Sequence, residues 1–121
     1  MQPEKCPCCG YPTLEERGGF EICILCNWED DGQDNPYADE VWGGPNGDYS
    51  LTEARKNFKE NLIMYRDKRN LLSQTDKEIA TKKSLTRAFV ELEQSETDSL
   101  EYKALWNEIK FYEKILLEDS C

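Results

Sequence analysis

Cysteines at positions 6, 9, 23 and 26 form two Cys-x-x-Cys pairs, and no other feature restricts so strongly what this chain can fold into. A Cys-x-x-Cys turn sets two thiolates on one knuckle, and two knuckles together complete a sulfur tetrahedron around a metal ion. The first knuckle reads Cys6-Pro7-Cys8-Cys9-Gly10. Its proline fixes φ, and its glycine lets backbone amides turn toward the sulfurs and offset their negative charge. The second reads Cys23-Ile24-Leu25-Cys26. The pattern predicts one Zn²⁺ held by Cys6, Cys9, Cys23 and Cys26, a structural ion because protein sulfur fills every coordination position. The alternative is a rubredoxin-like iron or redox site, since a tetrahedral S₄ set suits both metals. A thioredoxin-like dithiol would need a βαβ scaffold that this segment lacks. Cys8 is expected to be a small residue inside the knuckle, and Cys121 a free thiol.

The chain changes character once. All 7 glycines and all 5 prolines lie before residue 48, and none follows. The turn-rich front divides into a zinc-ribbon-like module over residues 1–34 and an acidic aromatic loop over residues 35–50. In the module, strands over Pro12–Glu16 and Phe20–Ile24 are expected to pair across Arg17-Gly18-Gly19. No internal repeat is visible. Residues 51–121 read as an α-helical region of about three helices. Ser50 and Glu53 form a capping box, as do Thr75 and Glu78. Leu51, Ala54, Phe58, Leu62 and Tyr65 recur at helical spacing, predicting a first helix that runs to about Leu72. Leu85, Phe89 and Leu92 mark a second, and Tyr102, Leu105, Ile109, Tyr112 and Leu116 a third. The fold class is α+β.

The chain carries a net charge of −10, with 15 basic residues, 25 acidic residues and no histidine. Residues 1–50 hold only Lys5 and Arg17 against eleven carboxylates. Such a field repels phosphate backbones, which argues against nucleic acid as a partner and in favour of a basic protein. Trp28, Glu29, Asp30, Asp31, Asp34 and Trp42 are the candidate partner surface, because aromatic anchors stand there among acids. Without histidine, a nucleophile constellation or an open metal position, the chain is expected not to be an enzyme. The N-terminus lacks the organisation of a signal peptide, and no apolar run reaches membrane-spanning length. The expectation is a cytoplasmic protein whose cysteines stay reduced.

Cys6-Pro7-Cys8-Cys9-Gly10, Gly19-Phe20-Glu21-Ile22-Cys23, Cys26, Trp28-Glu29-Asp30-Asp31, Gly43-Gly44-Pro45-Asn46 and Ser50 through Phe58 together resemble the bacterial cysteine-rich CPCC family, over about the first sixty residues. The family often has Pro-Val where this chain has Ile24-Leu25, a departure that removes a knuckle proline but no ligand. The resemblance implies a small zinc-binding protein. In its sharpest form it implies an immunity protein that neutralises a cognate secreted toxin.

Overall fold

The computed structural model describes residues 2–119, which fall into two compact units that divide between Ser73 and Gln74. The stretch read as one helical region from residue 51 onward is therefore shared between them.

The first unit opens with strands β1 (Glu4–Lys5) and β2 (Pro12–Leu14). They run antiparallel, with Glu4 opposite Leu14 and Lys5 opposite Pro12. The turn that joins them is the first cysteine knuckle. The Cys6 amide donates to the Tyr11 carbonyl at 2.9 Å, and the Gly10 amide to the Cys6 carbonyl at 2.8 Å. Gly10 sits at φ +80°, a left-handed conformation that costs glycine little. The second knuckle repeats this arrangement. Cys23 donates to Trp28 and Asn27 to Cys23, both at 2.9 Å, with Asn27 at φ +72°. As Lys5 and Pro12 bracket the first knuckle, an antiparallel bridge between Ile22 and Glu29 brackets the second.

This corrects the expected hairpin. Pro12–Leu14 does not pair with Phe20–Ile24. It pairs back to β1, while Ile22 pairs forward to Glu29. Each knuckle is already a tight turn, so each closes its own flanks, and Arg17-Gly18-Gly19 becomes the connection between two small hairpins.

The loop that follows contains two short 3-10 turns, Asn35–Tyr37 and Gly44–Asn46. The Asn46 side chain stitches it to the second knuckle, accepting from the Glu29 amide at 3.0 Å and donating to the Glu29 carbonyl at 2.7 Å. Helix α1 (Leu51–Asn61) starts at the expected cap, where the Ser50 hydroxyl accepts from the Glu53 amide. It buries Leu51, Ala54 and Phe58. It does not continue to Leu72. Leu62 turns left-handed at φ +62°, and the chain folds inward so that the Met64 amide reaches the Cys26 carbonyl at 2.9 Å. Ile63 and Met64 are buried there. Docking on the knuckle overrides the helical periodicity, and helix resumes only in α2 (Lys68–Ser73). Leu14, Leu25, Trp28, Leu51, Ala54 and Met64 are all fully buried, so the knuckle hairpins, α1 and the segment after it supply the core of this unit.

The second unit is a pair of helices packed on each other, α3 (Asp76–Gln94) and α4 (Leu100–Asp119). Thr75 caps α3 by accepting from the Glu78 amide, as its capping box requires. Ser99 accepts from the Tyr102 amide at the start of α4. Leu85, Ala88, Phe89 and Leu92 are buried on α3, and Leu105, Ile109 and Leu116 on α4. Phe89 meets Trp106 edge to face with ring centroids 6.4 Å apart, and Arg87 pairs with Glu91 and Glu108. Among the described residues, no helix is long and apolar enough to cross a membrane.

Candidate metal centre

The two hairpins bring the sulfurs of Cys6, Cys9, Cys23 and Cys26 within 4.8 Å of one another. Cys6 and Cys26 stand 3.6 Å apart, and Cys9 and Cys23 stand 3.7 Å apart. These separations are far from a disulfide bond of about 2.05 Å. They match the edge of about 3.8 Å that a tetrahedron has when each sulfur lies about 2.3 Å from a central ion. Each short separation joins one sulfur from each knuckle, so neither knuckle makes the cluster alone. Four cysteines are thus placed to hold a metal ion.

The surroundings suit negative sulfur. The Thr13 hydroxyl lies 3.0 Å from Cys23 Sγ, and the Leu25 amide donates to the same sulfur at 3.4 Å. Burial pushes the Cys23 thiol up, but hydrogen bonds from Cys26, Cys6, Cys9 and Thr13 outweigh it and hold the group well below its ordinary range. Its hydrogen bond to Cys23 holds Cys9 well above that range. Cys26 is held up by burial and then by its own hydrogen bond to Cys23. Cys23 is thus favoured as a thiolate while Cys9 and Cys26 favour the thiol, and a cation entering the cluster would displace their protons. Cys8 is buried in the knuckle and is not one of the four grouped sulfurs. Cys121 lies outside the described residues.

The knuckles are fixed from outside. Arg55 on α1 donates through Nε to the Pro7 carbonyl at 2.9 Å and through Nη2 to Asn35 Oδ1 at 2.7 Å. Arg17 donates to Asp30 Oδ2 at 2.9 Å, to Asp34 Oδ2 at 3.0 Å and to the Gln33 carbonyl at 3.3 Å. Asp30 also accepts from the amides of Gly18 at 2.6 Å and Gly32 at 3.2 Å. These contacts tie the connection between the hairpins to the end of the second. Nothing in the local sequence signalled the roles of Arg17 and Arg55, whose partners are distant along the chain.

The six residues read as a partner surface separate into two groups. Trp28 and Asp30 have no exposed surface, which corrects their assignment: the indole is core, and the carboxylate is consumed by Arg17 and two backbone amides. Glu29 and Asp31 are half-buried, and Asp31 accepts from the Gln33 amide at 3.1 Å. Asp34 caps the 3-10 turn that follows it. The Asn35 amide, then the Arg17 guanidinium, hold its carboxyl below the ordinary carboxylate range. Trp42 is exposed.

Fold and site together define a small α+β protein organised around a four-cysteine cluster that can hold a metal ion. The chain belongs to the cysteine-rich CPCC family, whose profile matches residues 4–78. No curated protein and no solved structure gives a significant match.

Proposed function

We propose that the cluster holds one structural Zn²⁺ ion and that the protein acts without catalysis, binding a basic protein partner through the acidic loop braced on the metal module. The observation that carries the metal half is the sulfur geometry, four thiols within 4.8 Å of one another with no ligand left to supply. A bound ion would contribute cross-linking and charge compensation there, and the binding energy would become folding energy. Elemental analysis of the purified, reduced protein should find one zinc per chain and a colourless solution. Intense visible absorption from thiolate-bound iron would overturn the zinc assignment, and the lack of any tightly bound metal would overturn the site.

The binding half rests on charge: eleven carboxylates against two basic residues in positions 1–50. Its sharpest form is an immunity protein that neutralises a cognate secreted toxin, tested by rescue of cells that express a toxin encoded beside this chain. The general form is tested on a partner captured by the metal-loaded protein. Association should slow steeply with added salt, and the Asp31→Asn/Glu40→Gln double variant should associate more slowly than wild type. Equal, salt-independent association of both proteins would remove the acidic loop from the binding face.

A further inference from the structure

The loop before α1 is tied to itself and to α1 by hydrogen bonds, yet it presents two aromatic rings to solvent. Gln33 Nε2 donates to the Glu40 carbonyl at 3.0 Å, and the Thr52 amide to the Ala38 carbonyl at 2.9 Å. The Thr52 hydroxyl donates to Asp39 Oδ1 at 2.5 Å. On this fixed backbone, Tyr37 and Trp42 are 47% and 46% exposed. Their ring centroids are 5.6 Å apart and their planes are inclined at 52°. The Trp42 indole N–H donates to Glu40 Oε1 at 3.3 Å, which sets a carboxylate beside the rings.

Each element selects for one kind of visitor. An aromatic face attracts a cation, most strongly when the ring is Trp. The Glu40 carboxylate supplies the opposite charge, and the surrounding half of the chain is strongly acidic. A planar guanidinium can stack on a ring and hydrogen-bond to a carboxylate at the same time, which an ammonium does less well. Because the loop is already ordered, little conformational entropy remains to be lost on binding. We propose that Tyr37, Trp42 and Glu40 form a docking point for an arginine side chain of a protein partner. The inference rests on the acidic-loop reading above and supplies its anchor.

The test uses the full metal-loaded chain, ¹⁵N-labelled and titrated with a blocked Gly-Arg-Gly-Arg-Gly peptide. Matched peptides carry lysine, or neutral citrulline, in place of arginine. The Trp42 indole resonance, identified by its loss in Trp42→Phe, should shift with the arginine peptide, less with lysine and not with citrulline. Trp42→Ala should weaken binding about tenfold, and Tyr37→Ala should also weaken it, with metal content unchanged because both rings are exposed. A stationary indole resonance, or an equal response to citrulline, overturns the anchor. If Trp42→Ala binds like wild type while Asp31→Asn/Glu40→Gln loses binding, the anchor fails and the acidic-loop reading stands. That reading falls only on the salt experiment with the captured partner.

Discussion

Trp28 is the largest fully buried side chain in the protein, and truncating it would open a cavity that a core this small can close only in part. Trp28→Ala should cost about 3–5 kcal/mol, read as a lower denaturant midpoint. Asp30 stabilises by a different route. It is a buried carboxylate that holds Arg17 and two amides, so Asp30→Ala takes the acceptor from the amides and one partner from Arg17, and should cost about 2–3 kcal/mol. Asp31→Ala, at a half-buried carboxylate, should cost less than about 1 kcal/mol. Equal losses for the two aspartates would contradict the difference in burial. Among the cysteines, Cys9→Ser should abolish metal retention and Cys8→Ser should preserve it, as measured by metal content after dialysis. The protons held on Cys9 and Cys26 must leave when an ion enters. Metal affinity should therefore rise as pH is raised between about 6 and 8, and a flat profile would show that those thiols are not displaced.

The two knuckles place a left-handed residue at equivalent positions, glycine in one and asparagine in the other. Gly10→Ala and Asn27→Ala should each lower stability by about 1–2 kcal/mol through backbone strain, whereas Asn27→Gly should be tolerated in a thermal melt. This equivalence was not legible in the sequence. Beyond the cysteines the two knuckles share little, and the repeat lies in backbone hydrogen bonds. What could be read was local. The ligand spacing reflects a turn only a few residues long, and the Ser50 and Thr75 caps are satisfied within one helical turn. The strand pairing could not be read, because Gly18-Gly19 suits a hairpin turn as well as it suits a connection. Nor could the end of α1, because apolar spacing continues through Leu62 and Tyr65 while the bond that stops the helix runs from Met64 to Cys26. Trp28 and Asp30 sit in a polar, acidic stretch that reads as surface, and only the distant Arg17 shows why Asp30 lies inside.

At the scale of the molecule, every grouped sulfur lies in the first unit, so metal removal should act on that unit first. With a chelator present, the near-ultraviolet signal of Trp28 should collapse, while much of the far-ultraviolet helical signal from α3 and α4 persists. A single concerted loss of both signals would show that the units fold as one. The family match ends at residue 78, only just past the boundary after Ser73, so most of the α3–α4 hairpin falls outside what the family profile describes. Family membership is thus set by the unit that holds the sulfurs, and most of the α3–α4 hairpin takes no part in it. All four grouped sulfurs lie inside the matched stretch and most of the hairpin lies beyond it, so a trait tied to α3 and α4 is to be sought in this chain itself and does not follow from its family.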